Sequence, residues 1–396
     1  MYFKGLIIAA ATFCCMQFPQ RAAGQIKERL QQVKHYLDST ANAKVDQHYI
    51  EVPEKPWRVV LQYKETDFNV DYNNTLADPS STDRIDWLLR FEPPVATSVG
   101  LWVGYQGTGL AVAKTLGEKT GTYFSFSSTG AKYGLNLRLR SFETDEASLD
   151  ATYQIEGNTS KIEKTGHLAA PVKITSVYLN GYYVFNGRRY SQAAAYNQSV
   201  IQRHSAGSFL LGATIYKSSF DFSDPHNAMM IFLSQGVARI KLHQANLGIG
   251  YGYNWVPLRG LVVNMMAMPT ISFYNRVKVY NYELNYDLTT TSDQTSDYGA
   301  WNAETHTWAN GAEYRPIPTG ENDKSWLETA DAWEVSSESE HSPWRFNLDL
   351  RLGIAYNWSR YFIGAQAQLN RFSYKKDNSK VTLIDAYARL SLGVRL

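Results

Sequence analysis

From Trp344 to Trp358 the chain alternates between apolar and polar side chains for fifteen consecutive positions. The even positions are Trp344, Phe346, Leu348, Leu350, Leu352, Ile354, Tyr356 and Trp358; the odd ones are Arg345, Asn347, Asp349, Arg351, Gly353, Ala355 and Asn357. A strand sends successive side chains to opposite faces, so the segment predicts one apolar and one polar face. The apolar face is aliphatic at its centre and aromatic at both ends, the profile of a strand that crosses a bilayer. About 9–11 residues suffice for a tilted crossing, and this run supplies them.

The same logic recurs. Tyr361, Ile363, Ala365, Ala367 and Leu369 oppose Gly364, Gln366, Gln368 and Asn370. At the end of the chain Ile384, Ala386, Ala388, Leu390, Leu392, Val394 and Leu396 oppose Asp385, Tyr387, Arg389, Ser391, Gly393 and Arg395. Gly248, Gly250 and Gly252 alternate with Leu247, Ile249, Tyr251 and Tyr253, which puts glycines toward a crowded interior. A half-buried soluble strand also alternates. These polar faces, however, hold too much Arg, Asp, Asn and Gln for a sandwich core. The pattern predicts an all-β fold, an antiparallel transmembrane β-barrel of about 12 strands, within a range of 10–14.

Candidate strands are 57–72, 84–92, 97–105, 108–116, 130–141, 148–156, 172–185, 206–222, 237–255, 258–272, 344–358, 359–373 and 381–396. That is an odd number, and a single-chain bacterial barrel has an even one. Either Tyr123 to Phe126 adds a strand or residues 57–72 stay outside the wall. Connections are tight at Gln106-Gly107-Thr108, Val256-Pro257 and Ser359-Arg360, which predicts the periplasmic end. The segments at about 373–380 and 274–343 are external loops on this scheme; the second is long, polar and aperiodic. No fixed-period repeat is present.

The chain begins with Lys4, an apolar stretch from Gly5 to Met16, and Ala22-Ala23-Gly24 before Gln25, the layout of an export signal over residues 1–24. Cys14 and Cys15 also admit a lipoprotein reading, against which stands bulky Phe13 before Cys14. Residues 25–56 are expected to form a periplasmic helix and linker, because Ile26, Leu30, Val33 and Leu37 make one helical stripe. The barrel then occupies 57–396.

Both cysteines lie in the export segment, so disulfide, thiol and cysteine-metal chemistry drop out of the mature chain. Loss of Lys4 and Arg21 leaves 37 basic and 37 acidic residues. That balance argues against nucleic acid. The 27 Tyr and ten Trp suit membrane interfaces, where each ring keeps a polar tip in water.

Residues Val184-Phe185-Asn186-Gly187-Arg188-Arg189-Tyr190-Ser191, Ala193 to Gln198, Gln202 to Gly212 and Gly250 to Pro257 resemble an outer-membrane barrel family of Bacteroidetes-type bacteria, the domain-of-unknown-function 4421 family. The likeness covers roughly residues 45–396. It implies an exported barrel and carries over no activity, cofactor or catalytic residue. One departure is that the chain ends on Leu396, where outer-membrane barrels often end on an aromatic residue read by the insertion machinery.

The polar positions give the candidate sites. Arg345, Asp349, Arg351, Asp385 and Arg389 fall on the inward face, as a salt-bridge network that plugs the barrel or as a lining for solute passage. Arg188, Arg189, Gln198, Gln202 and Arg203 are expected to hydrogen-bond inside the periplasmic mouth as a partial plug. His204, Ser205, Ser208 and Asn197 superficially offer the parts of a lipid hydrolase, although adjacent strand residues face opposite ways. His243, Arg239 and Lys241, at the external start of their strand, read either as a solvated strand end or as a basic rim for lipopolysaccharide phosphate. His226 follows Asp224-Pro225 in a turn, and His306 and His341 lack metal-ligand spacing. Trp301, Trp308, Trp326 and Trp333 are many for a solvated loop, and either pack it over the mouth or stack on a glycan.

These readings predict an outer-membrane protein of a Gram-negative bacterium in contact with lipid, lipopolysaccharide and the barrel-insertion machinery. Its role is non-enzymatic, structural or narrowly permeable, with a small solute or glycan as candidate ligand and no cofactor. The alternative is a lipid- or lipopolysaccharide-modifying hydrolase.

Overall fold

The computed structural model describes residues 31–32, 44–77, 83–91, 95–116, 121–155, 157–227, 231, 236–285, 301–302, 307–308, 331–342, 344–376 and 379–396. The export segment lies outside them, as does the expected N-terminal helix apart from the helical pair 31–32.

Alternating segments become strands because each can bury one face and expose the other. In chain order they are β1 (Trp57–Ala77), β2 (Arg84–Phe91), β3 (Ala96–Tyr105), β4 (Thr108–Thr115), β5 (Gly121–Thr129), β6 (Tyr133–Ile155) and β7 (Asn158–Val184). There follow β8 (Ala206–Asp221), β9 (Val237–Leu258), β10 (Leu261–Asn285), β11 (Asp331–His341), β12 (Arg345–Trp358), β13 (Tyr361–Lys376) and β14 (Ser379–Arg395). They form one antiparallel sheet of 14 strands, and 12 of them close into a ring. The ring runs β1-β3-β4-β5-β6-β7-β8-β9-β10-β12-β13-β14, and β14 returns to β1 from Arg395↔Arg58 to Ser379↔Asn74. Closure removes the free sheet edges, a condition for placing strands in lipid.

The ring has the expected strand number, reached by a different route. Residues 121–129 form a wall strand, and 57–72 also stand in the wall. Segments 130–141 and 148–156 are one strand, β6, which carries its acidic middle through an irregularity between Thr144 and Glu146. Strand β2 lies off the ring: it pairs with the upper parts of β1 and β6, bridging above the shorter β3, β4 and β5. The flanks of the expected loop 274–343 are strand as well. β10 runs on to Asn285, and β11 returns along it from Asn285↔Asp331 to Arg276↔His341. β10 buries Val277 and Tyr280 here, but the Ser- and Glu-rich stretch 336–339 of β11 is exposed and shows no apolar alternation. Trp326 and His306 lie outside the described residues.

The turn expected at Val256-Pro257 falls at Arg259-Gly260, where Gly260 adopts φ +86°. Left-handed backbone comes without a Cβ penalty only at glycine. The Ser359-Arg360 turn is as predicted, with Trp358 facing Tyr361 across it.

The outer surface carries the apolar belt. Leu211, Ile215, Leu247, Ile249, Leu352 and Ile354 are exposed at mid-height. Trp57, Phe185, Phe209, Trp255 and Trp358 are exposed toward the end with the tight turns, and Phe273, Tyr274, Trp344 and Phe346 toward the other. Aliphatic residues between two aromatic girdles are what a strand wall presents to lipid.

Candidate functional site

The interior is filled in three tiers. The lowest is a plug, residues 185–205, which folds back into the end with the tight turns around a short helix α1 (Ala193–Tyr196). Ala194, Ala195, Tyr190 and Val200 are buried there, with Ile50 from the segment that precedes the barrel. That segment clamps the plug: Ile50–Glu51 pairs with Ile201–Gln202, the Asp46 amide donates to the Arg188 carbonyl at 2.8 Å, and Arg203 bridges Glu51 at 2.9 Å.

Plug carbonyls meet donors from the wall. Gln366 Nε2 donates to the Ala195 and Tyr196 carbonyls at 3.0 and 2.7 Å. An Arg389 amino group donates to the Tyr196 carbonyl at 3.1 Å and also to Gln366 Oε1. At the ring-closing seam, Arg58 and Arg395 lie directly opposite each other and are buried. Like charges so placed repel. Arg58 donates to the Asn197 carbonyl, and Arg395 to the Gln198 carbonyl at 3.1 Å and to Asn357 Oδ1. The plug thus supplies acceptors that the seam lacks. Glycine makes room for it, since a Cβ at Gly252 would overlap the Tyr190 hydroxyl.

The middle tier is polar. Arg351 pairs with Asp349 at 2.6 Å and donates to Asn180 Oδ1 at 2.8 Å, while Gln368 donates to Asp349 Oδ1 at 3.1 Å. Asp385 pairs with Arg140 at 2.7 Å and approaches Arg138 at 3.9 Å. Lys64 is buried between the rings of Tyr123 and Tyr387, at 3.5 and 4.6 Å from their centroids. Nearby voids are of about 70 Å³ beside Arg389 and about 40 Å³ beside Lys64, room for a few waters each, since about 10–15 Å³ admits one.

The upper tier is apolar. Phe68, Trp87, Phe91, Phe220, Phe222 and Tyr374 are buried in one cluster, with Tyr216 stacked on Phe372 at 4.3 Å. Beyond the belt the strands therefore pack like a soluble core.

The structure brings the inward candidates together only in part. Asp349 and Arg351 pair, whereas Asp385 takes Arg140 and Arg138 as partners and Arg389 reaches the plug instead. Arg345 sits at the upper rim, donating to the Lys375 carbonyl at 2.7 Å. Among the expected mouth residues, Gln198 and Gln202 are buried in the plug; Gln202 Nε2 donates to the Arg189 carbonyl at 2.6 Å, and its Oε1 accepts from Asn254 at 2.9 Å. Arg188, Arg189 and Arg203 depart from the expectation: their side chains are exposed, and Arg189 and Arg203 face Asp46 and Glu51 outside the mouth. Exposed at the mouth, these guanidinium groups keep their water, and Arg189 and Arg203 also gain carboxylates, without the desolvation that burial costs.

The hydrolase parts do not converge. His204 stacks on His48 at 4.2 Å, Ser205 Oγ accepts the Val256 amide, and Ser208 Oγ accepts the Asn186 amide while donating to the Phe209 carbonyl. Asn197 is engaged by Arg58 and the Gly107 carbonyl. His226 is bonded within its own turn to Asp224 at 2.7 Å, and His341 is exposed beside the Tyr274 ring. At the rim Arg239 pairs with Asp221 at 2.8 Å. Arg58, Arg395, Lys64, Arg138 and Arg140 were not singled out by sequence. Arg58 and Arg395 were detectable in principle, because first and last strands must meet in a closed ring.

The family described as Domain of unknown function (DUF4421) matches residues 44–395. No curated protein matches the sequence. Among solved structures, the translocator domain of the autotransporter NalP from Neisseria meningitidis aligns at 7% identity and a TM-score of 0.29, covering 95% of this chain and 97% of that one. OmpT of Vibrio cholerae aligns at 7% identity and a TM-score of 0.25, covering 86% and 100%. A Pseudomonas aeruginosa FadL homologue aligns at 10% and 0.23, covering 86% and 90%.

Proposed function

We propose, from the premise that the chain belongs to the family described as Domain of unknown function (DUF4421), that it is an outer-membrane barrel closed along its height: a structural envelope protein and not a channel. The observation that carries this reading is the filled lumen. Plug, polar tier and apolar tier succeed one another along the height of the wall, each made of buried side chains. A bore for solutes would need inward side chains that end in water; here Arg351 ends on Asp349, Arg140 on Asp385, and Gln366 and Arg389 on the plug.

The location rests on two supports. A closed antiparallel ring with an apolar belt between aromatic girdles satisfies every backbone group in lipid, and the segment from Lys4 to Gly24 has the form of an export signal. A Gram-negative outer membrane accommodates both. Assembly there calls on the barrel-insertion machinery, and the belt contacts outer-membrane lipid and lipopolysaccharide.

Planar-bilayer recording of the refolded mature protein tests the closed lumen. The intact protein is expected to give no conductance steps, while replacement of residues 186–204 by a short turn lets ions leak through the lower tiers. Stable openings in the intact protein would overturn the reading.

A further inference from the structure

On the outside of the wall, just above the apolar belt, five cationic or titratable side chains gather. Lys217 on β8 lies opposite His243 on β9, which lies opposite Arg276 on β10. One step higher Lys241 lies opposite Lys278. These side chains share the outward face with Ile215 and Leu247 of the belt and with Tyr274 of the upper girdle.

Like charges directly opposite in a sheet are destabilising. The register here stacks them across three strands. Among the described residues none of the five is ion-paired with a carboxylate; the next cation along β9, Arg239, has Asp221 at 2.8 Å. Among the described residues, Arg276 donates to a neutral group, Ser339 Oγ, and Lys241 Nζ to the Tyr280 hydroxyl at 3.0 Å. Partial burial, then the charges of Lys217, Arg276 and Lys241, hold the His243 imidazole below its ordinary range. The wall has placed positive charge where no described carboxylate pairs with it.

The same five residues line one side of a groove of about 770 Å³. Its other side carries the apolar Val112 on β4, Phe124 on β5, Leu139 on β6 and Val177 on β7, with the hydroxyls of Thr122, Ser141 and Thr175 among them. A free phosphate would use only half of this groove. A lipid uses both halves: its phosphate lies at the height of the cations, and its chains continue down the belt.

We propose that this groove binds the phosphorylated headgroup of a membrane lipid in the outward leaflet, with the phosphate on Lys217, Arg276 and Lys278 and the first acyl segments along Val112, Leu139 and Val177. Arg and Lys pair strongly with phosphate through charge-assisted hydrogen bonds. The site is independent of whether the lumen conducts, so its failure would leave the closed-barrel reading standing.

The test uses the mature protein in nonionic micelles. Native mass spectrometry follows titration with bisphosphorylated lipid A, with the same lipid stripped of phosphate, and with inorganic phosphate. The phosphorylated lipid is expected to be retained most tightly, and a Lys217→Gln, Arg276→Gln, Lys278→Gln triple variant to lose at least about tenfold in affinity. An Arg189→Gln, Arg203→Gln variant, which removes two exposed cations at the opposite end, is expected to bind as the parent does. Heat-dependent gel mobility shows whether each variant is folded; if the triple variant is not, Arg276→Gln alone is expected to weaken binding about threefold. Equal retention of the dephosphorylated lipid, inorganic phosphate binding as tightly, or equal loss in the two multiple variants would overturn the proposal.

Discussion

Charged side chains on the two faces of one wall are treated differently. Inside, Arg351 has Asp349 at 2.6 Å and Asp385 has Arg140 at 2.7 Å, both within a network of Asn, Gln and Tyr partners. Outside, at the top of the belt, Lys217, His243 and Arg276 stand side by side with no carboxylate among the described residues. Burial explains the contrast. A charge taken out of water inside a barrel costs several kcal/mol unless the chain supplies a partner: a carboxylate for Arg351 and Arg140, plug carbonyls for Arg58, Arg395 and Arg389, and tyrosine rings for Lys64. A charge at the membrane surface keeps access to water and to lipid headgroups, so its partner can come from the membrane. Inner charges thus hold the barrel together, and outer ones are left for a ligand.

Breaking an inner pair is expected to have the largest effect. Arg351→Leu leaves Asp349 buried without its cation and should cost about 3–5 kcal/mol, read by urea unfolding in micelles. Removing both charges, as Asp349→Leu with Arg351→Leu, should recover most of that loss. If the single and double variants are equally unstable, the pair is not the source of the effect.

Next comes the fit of the plug. Gly252→Val forces a side chain against the Tyr190 hydroxyl and should cost about 1–3 kcal/mol through overpacking. Adding Tyr190→Ala should return part of it, and a variant as stable as the parent would show that the plug sits elsewhere. Gln202→Ala strips partners from the Arg189 carbonyl and the Asn254 amide, with a cost of about 1–2 kcal/mol in the same assay.

The outer patch should give the smallest effect, and one whose sign depends on the surroundings. In micelles without phosphorylated lipid, Arg276→Gln relieves repulsion and should stabilise by about 0.2–1 kcal/mol. With phosphorylated lipid it should destabilise instead. His243 adds a pH signature. Its folded-state value lies below the ordinary imidazole value of 6.5, so the unfolded chain binds the proton more readily. Stability therefore falls as pH drops through that value toward the depressed folded one. Lys217, Lys241 and Arg276 face it from three strands, and phosphorylated lipid is expected to flatten the slope. An unchanged slope in His243→Gln would assign the titration to another group.

Much of the wall was legible because strand periodicity is two and lipid punishes any error in it. Trp344 to Trp358, Tyr361 to Asn370 and Ile384 to Leu396 all place their residues on the faces that alternation predicts. What periodicity cannot show is which strand lies beside which. The bridge made by β2, the single long β6 and the meeting of Arg58 with Arg395 depend on register between distant segments. The outer patch failed to appear whole for the same reason. Arg239, Lys241 and His243 are near neighbours in sequence, but Lys217, Arg276 and Lys278 join them only through cross-strand pairing. The plug lacks alternation, so its buried Gln202 and exposed Arg203 could not be separated by pattern.

The absence of cysteine beyond Cys15 permits a direct test of the closed interior. Ser125→Cys places a thiol on the wall of the middle tier, beside the void of about 70 Å³, and Lys217→Cys places one on the outer surface as a control. Proteoliposomes are exposed on either side to a small charged thiosulfonate. The Lys217→Cys thiol should be modified from its own side and the Ser125→Cys thiol from neither. Rapid modification of Ser125→Cys from either side would show an open lumen and contradict the account.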